Sequence, residues 1–368
     1  MSICGVDVPR SVASSLREMT DVIIGSASDV GSNGYVLFGH HNILNMDVAL
    51  KYYFHGHQNH DEVRHLAEVR HPNVLSVMDA RSVGEGWAYF MTPRLAGGSL
   101  ESILARGRFS LKDGVELIKG VLKGLGCIHR CSRLVHGDIK PQNILVAGDR
   151  RPVIADFGSV ARIPDGAAWV EAPTNTILYR PPEAFEYGGR IYTFSSDLYQ
   201  VGVMMYELLG GELPKTDADC LDANQRKRLR EIVDAFERSR LVDRAMYSRA
   251  NGGGLIRVST LPKYVPDKVI TLIKRATHRT YSRRYQTTAE FLVALHRLGT
   301  LPEWQLETGG VMLLPNWNGW DYRIVSRSAD AACEKRRVGT HRWRKDPLIA
   351  PACVEDVLSV WWSRYCKA

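Results

Sequence analysis

The stretch His136-Gly137-Asp138-Ile139-Lys140-Pro141-Gln142-Asn143, followed thirteen residues later by Asp156-Phe157-Gly158, gathers the residue types best suited to chemistry. Two carboxylates and an amide are oxygen donors of the kind that hard cations prefer. Lys140 here, and Lys51 in Val48-Ala49-Leu50-Lys51, add ammonium groups that neutralise anions. Such a set suits a reaction in which negative charge is held and moved. Upstream lies Asp29-Val30-Gly31-Ser32-Asn33-Gly34-Tyr35-Val36, whose glycines let backbone come close to a bulky anion. Downstream, Arg180-Pro181-Pro182-Glu183 closes the segment. The seven cysteines form no C-x-x-C pair, which excludes a zinc ribbon or a disulfide framework and leaves free thiols. His55-Gly56-His57-Gln58-Asn59-His60 reads as a surface loop, because no cysteine or acidic cluster accompanies it to hold a metal.

The elements that must position these groups follow from length and pattern. A chain of 368 residues allows about two domains. With 45% hydrophobic and 24% charged residues it is an ordinary globular chain, neither disordered, collagen-like nor a coiled-coil rod. No apolar run reaches the ~18 residues of a membrane helix, and the N-terminus lacks a charged-then-apolar signal, so the cytoplasm is the expected compartment. Residues 20–95 read as short strands (DVIIGSA, GYVLFGH, MDVALKYYF, VLSVMDA, GWAYFMTP) around one helical stretch, NHDEVRHLAEVR. From 111 to 130 the period becomes helical, with Val115, Ile118, Val121, Leu122, Leu125 and Ile128 on one face. Two short apolar runs, NILVAG and PVIADFG, precede helical patterns to about residue 298. Strands first and helices later predict a two-lobed α+β architecture. The tail, 301–368, holds six of the eight tryptophans; Trp320, Tyr322 and Ile324 alternate as in a strand, and Val354 to Tyr365 has helical spacing. The net charge of +8 is concentrated: residues 226–250 carry eight Lys/Arg against four Asp/Glu, which reads as a solvated helix face.

In their order and spacing these motifs resemble the protein kinase superfamily, and Arg283-Arg284-Tyr285-Gln286-Thr287-Thr288-Ala289-Glu290-Phe291-Leu292 is similar to the eukaryotic-like Ser/Thr kinases of bacteria. The resemblance covers about residues 20–298 and implies an α+β bilobal fold: an N-lobe over 1–95 with an extension at 1–19, a C-lobe over 96–300, and an accessory Trp-rich segment, 301–368, packed on the kinase or binding a partner. It implies ATP and Mg²⁺ as cofactors and a serine or threonine of a protein as acceptor; nucleic acid and membrane partners are not expected. Carried over, Lys51 holds the α- and β-phosphates and is fixed by Glu62. Asp138 is the catalytic base, Lys140 neutralises the transferring group, and Asn143 and Asp156 bind metal. Gly31, Gly34, Val36, Ala49, Thr92, Pro93, Leu95 and Leu145 surround the nucleotide. Thr176 stands beside Lys140, as in Ser/Thr-specific relatives. Asp197 holds the backbone of the Asp138 loop, Glu183 pairs with Arg284, and His136 and Phe157 are packing residues.

Three departures shape further expectations. Aspartate at position 29, where the family has its first glycine, predicts weakened ATP affinity. Only eleven residues separate Lys51 from Glu62, so the N-lobe helix is expected to begin near Asn59 or His60 and run about three turns, which leaves the reach of Glu62 for the structure to decide. Gly137 replaces the arginine that in many relatives reads a phosphate, which predicts a constitutive or partner-switched enzyme. The alternatives are a pseudokinase that binds nucleotide as a scaffold, or a kinase-like small-molecule phosphotransferase.

Overall fold

In the computed structural model all residues are described except 1, 30–33, 56–59, 108, 174–175, 263, 308–310, 328–329 and 367–368. The chain opens with a small hairpin, β1 (Ser2–Ile3) and β2 (Val6–Asp7), and a helix, α1 (Arg10–Glu18). Sequence periodicity left residues 1–19 without an element, because serines fill the turn around Val12 and Ala13. Those two residues are buried against the following sheet, and the Ser15 hydroxyl bonds the Tyr52 hydroxyl at 3.1 Å. That sheet is antiparallel: β3 (Val22–Asp29), β4 (Gly34–His41), β5 (Met46–Phe54), β6 (Asp79–Gly84) and β7 (Trp87–Pro93), in the order β3-β4-β5-β7-β6. Helix α2 (Asp61–Glu68) lies between β5 and β6 in the chain.

Two expectations for this region need correction. VLSVMDA does not form one strand: β6 begins only at Asp79, whereas the Leu75 amide donates to the Ile154 carbonyl and the Ile154 amide to the Asn73 carbonyl, both at 2.9 Å. A partner eighty residues away takes the first half of the run. Helix α2 spans eight residues, about two turns rather than three. It ends where Val69 adopts an extended backbone and leads into His71-Pro72.

The next layer is helical. Helix α3 (Leu100–Leu104) and the long α4 (Leu111–Ser132) are N-capped by Ser99 and Ser110, whose hydroxyls accept from the amides of Ser102 and Asp113. The apolar face foreseen for 111–130 is wholly buried. Short strands β8 (Leu134–Val135), β9 (Ile144–Val146) and β10 (Pro152–Ile154) flank the loops of interest; β11 (Ala161–Arg162) pairs with β8, and β12 (Val170–Glu171) with β13 (Ile191–Tyr192). Helices α5 (Phe194–Leu208), α6 (Ala223–Glu231), α7 (Ala235–Gly252), α8 (Asp267–Ala276) and α9 (Thr288–His296) complete this part. Helix α5 is buried nearly all round, while α6, the basic segment, buries no residue and is a solvated helix. One core joins the two layers: Leu66 and Phe90 from above pack in the same cluster as Val121, Phe157 and Leu198.

The tail builds a second antiparallel sheet of β14 (Gln305–Leu306), β15 (Met312–Trp317), β16 (Trp320–Arg327), β17 (Asp330–Arg337) and β18 (Arg344–Lys345), against which α10 (Val354–Tyr365) packs. Trp361, fully buried, sits among Trp304, Trp317, Tyr322 and Tyr365 with ring centroids 5.1–5.7 Å away. Trp343 is different, with the guanidinium groups of Arg323 and Arg336 each 4.4 Å from its ring. Trp362 and Tyr264 are shared between this core and the helical layer, so the tail's aromatics chiefly pack.

Candidate active site

A cleft of about 830 Å³ opens between the N-terminal sheet and the helical layer, within the size range of small-molecule sites. Strand alternation sends Val36 from β4, and Ala49 and Lys51 from β5, to its roof. Thr92, Pro93 and Leu95 form the connecting wall, with Leu145 of β9 opposite. Glu62, Asn143 and Asp156 line the inner end. Gly34 opens β4, where an added Cβ would lie 2.4 Å from the Tyr52 carbonyl oxygen, so only glycine fits that approach. Gly31 lies outside the described residues, as does the side chain of Asp29.

Short though α2 is, Glu62 in its first turn reaches Lys51: Nζ donates to Oε1 at 2.6 Å and lies 3.5 Å from Asp156 Oδ1. Burial works to lower the Lys51 ammonium, but the two carboxylates beside it win and its pKa is raised. For Glu62, burial raises the pKa and Lys51 opposes it, with the net above the ordinary value. The asymmetry arises because Lys51 faces two anions, whereas Glu62 faces one cation and a second anion. Asp156 is half exposed to the cleft. Burial pushes its carboxyl up, yet Lys51 and the Gly158 amide outweigh this and hold it below the usual range, as a carboxylate. Its backbone is left-handed, φ 59°, a strained state for a non-glycine that the surrounding contacts must hold.

Below, the 136–143 loop carries the other charged groups in one network. Lys140 Nζ donates to Asp138 Oδ2 at 2.7 Å and to Thr176 Oγ1 at 2.6 Å. The Thr176 amide donates to Asp138 Oδ1 at 3.1 Å. The Asn143 side-chain NH₂ donates to the carbonyl of Asp138 at 2.9 Å and to its Oδ2 at 3.1 Å. With its NH₂ so engaged, the Asn143 amide presents its oxygen as the remaining ligand, next to the ionised Asp156. That donor pair fits a hard cation such as Mg²⁺.

The loop's backbone is held from α5. Asp197, fully buried, accepts from the amides of His136 (2.8 Å) and Gly137 (2.9 Å), from the Tyr192 hydroxyl (3.0 Å) and from His129 Nε2 (2.7 Å). Burial would raise its pKa, but these donors, the His129 bond first among them, hold it below the ordinary value. Gln200, one turn further along α5, accepts the Ile139 amide and donates to the Gly137 carbonyl at 2.8 and 2.9 Å. His136 is neutral and fully buried: Nε2–H donates to the Ala155 carbonyl at 3.2 Å, and the ring meets Phe157 edge-on. Glu183 and Arg284 form a buried two-pronged ion pair, both contacts 2.7 Å. Gly137 has φ 81°, and a Cβ there would come within 2.6 Å of the Ser159 carbonyl and 2.7 Å of the Pro173 ring. Ser159 and Pro173 therefore leave no room for a side chain's Cβ at this position.

Sequence reasoning missed Gln200, His129 and the cleft residues Phe38 and Phe90. Two signals were present: Phe38 follows Val36 by two in a strand, and Gln200 follows Asp197 by three in a helix, so each shares a face with its neighbour. His129 carried none, because its partner comes from a different helix. Among the described residues no group of three or more His, Cys, Asp or Glu could hold a metal; residues 56–59 of the histidine-rich stretch lie outside the described set.

Residues 24–293, well over half of the chain, match the family model of the protein kinase domain. The chain belongs to the protein kinase family, and its β-rich first part and helical remainder are that family's bilobal α+β fold. It is 34% identical over 165 residues to serine/threonine-protein kinase PknL of Mycobacterium tuberculosis, covering 44% of this chain and 40% of that one. To human serine/threonine-protein kinase H1 it is 29% identical over 216 residues, 57% of this chain and 46% of that one. Human mitogen-activated protein kinase kinase kinase 6 aligns at 31% over 162 residues, 42% of this chain and 12% of that one. The chain thus spans less than half the length of each of these relatives. Among the described residues no helix is long and apolar enough to cross a membrane.

Proposed function

We propose that the chain is a Ser/Thr protein kinase that transfers the γ-phosphoryl group of Mg-ATP to a protein hydroxyl. The observation that carries this reading is the Lys140 ammonium bonded at once to Asp138 and to Thr176, beside a cleft whose inner end holds the Lys51–Glu62 pair. In this reading the cleft takes the adenine between Val36, Ala49 and Leu145, along the Thr92–Leu95 wall, and Lys51 neutralises the phosphates. Asp156 and Asn143 are the residues that would hold Mg²⁺, which when bound neutralises charge on the phosphates. Asp138, its carboxylate fixed by three donors, orients the acceptor hydroxyl and takes its proton. Lys140 steadies both that carboxylate and the transferring group. Thr176 ties the pair to the segment on which a peptide would lie, which favours a protein acceptor over a small molecule. The free cysteines suit a reducing compartment, and we take the cytoplasm as the site of action.

The test is autophosphorylation with radiolabelled ATP and Mg²⁺, wild type beside Asp156→Ala, with the labelled residues mapped. Label on serine or threonine in the wild type only is the expected result. No label, despite a thermal shift with Mg-ATP, would sink the kinase reading in favour of a nucleotide-binding scaffold.

A further inference from the structure

Helix α4 ends Cys127-Ile128-His129-Arg130-Cys131-Ser132. Residues four apart on a helix share a face, with Cβ atoms about 5–6 Å apart. Here the two sulfurs close to 3.5 Å, with Cys127 Sγ leaning 4.0 Å from the Arg70 carbonyl and Cys131 exposed. The residues that follow give the pair leverage. Arg133 caps α4 in the left-handed conformation, φ 49°, and its guanidinium donates to the carbonyls of Ile163, Pro164 and Ala167 at 3.2, 3.0 and 3.1 Å. Arg162 returns the contact, donating to the Ser132 carbonyl at 2.6 Å. The last turn of α4 is thus stitched to the segment between Asp156 and Glu183.

We propose that Cys127 and Cys131 are a reversible oxidative modification site, a dithiol that a peroxide converts to an intrahelical disulfide, loosening the hold of Arg133 on residues 163–167. The Cys131 thiolate attacks one peroxide oxygen; the O–O bond breaks, leaving a sulfenic acid on Cys131 and releasing water once the departing oxygen is protonated. The Cys127 sulfur then attacks the Cys131 sulfur, the S–O bond breaks, and a second water leaves with the Cys127 proton. Two electrons pass from the dithiol to the peroxide. Cys131 meets the oxidant first because it is the exposed sulfur; burial, reinforced by the Cys131 contact, pushes the Cys127 thiol up and keeps it protonated until that step. A disulfide holds its Cβ atoms about 3.8 Å apart, so closure draws the final turn together by more than an ångström. The cap at Arg133, already in a disfavoured conformation, is the part that gives.

The test is covalent first and does not depend on kinase activity. The full chain is treated with hydrogen peroxide, alkylated with N-ethylmaleimide and digested with trypsin, which cuts after Lys123, Arg130 and Arg133. Peptides 124–130 and 131–133 should then run as one linked species, two hydrogens lighter than the pair and separated by dithiothreitol. Deuterium exchange at the Ile163 amide, which donates to the Arg133 carbonyl, and at the Ala167 amide, which donates to the Pro164 carbonyl, should rise severalfold in the oxidised chain. Cys131→Ser should abolish both changes; if that variant does not fold, Cys127→Ser serves the same purpose. Separate alkylated peptides, a sulfinic acid on Cys131 beside an alkylated Cys127, or a linked species with unchanged exchange would each overturn the proposal.

Discussion

Replacing Asp197 by asparagine probes the device that holds the Asp138 loop. Oδ1 accepts from the Gly137 amide and the Tyr192 hydroxyl, and Oδ2 from the His136 amide and His129. Asparagine keeps one oxygen and turns the other into an NH₂ that faces donors. Whichever oxygen is lost, two bonds to a buried carboxylate go with it, each worth about 1.5–3 kcal/mol. The loss is therefore about 3–6 kcal/mol, and no water can compensate at a residue with no exposed surface. With an unfolding entropy of about 2.1 cal/mol/K per residue, a chain of 368 residues loses about 1.3 °C of Tm per kcal/mol, so calorimetry should show a fall of at least about 4 °C. Turnover should fall as well, since the freed amides of His136 and Gly137 no longer fix Asp138. A variant that keeps its Tm within about 2 °C of wild type and its turnover intact would refute the assignment of Asp197 as the loop's anchor.

Three further outcomes are expected. Lys51→Met and Glu62→Gln should each suppress phosphoryl transfer, and the double variant should be little worse than either, because the two act as one ion pair; an additive loss in the double-mutant cycle would show that they do not. Gly137→Arg should lower stability by about 1–3 kcal/mol, the cost of a strained backbone, through its collision with Ser159 and Pro173. An unchanged Tm would mean that the 156–183 segment yields freely. Burial holds the His136 imidazole below the ordinary histidine range, although Asp197, Asp156 and Asp138 pull it upward. Its contribution to stability is then present above the unfolded value, about 6.5, and is lost as pH falls toward the lower folded value. Tm should decline from about pH 7 to pH 5, less steeply in His136→Phe; identical slopes would assign the titration to another group.

The order of the motifs was enough to identify the family, because phosphoryl transfer demands these residue types and each is marked by rigid neighbours such as Phe157-Gly158 or Pro141. The long helix from Leu111, the strand from Trp320 and the final helix from Val354 were also legible, since a single buried face writes its period directly into the chain. Local pattern did not reveal which distant segment would complete a hydrogen bond. Asn73 and Leu75 left their apparent strand for Ile154, and α1 hid its small buried face among serines. Eleven residues between Lys51 and Glu62 left the reach of Glu62 open by count, and the two-turn α2 proves long enough to bring its carboxylate 2.6 Å from Lys51 Nζ. Gly137 read as a missing arginine; folded, it is a left-handed residue with Ser159 and Pro173 pressed against it. Residue type alone pointed to the family and to the chemistry proposed for it. The reach of each side chain and the partner of each buried donor were decided only in three dimensions, because they depend on distances between elements that no single segment contains.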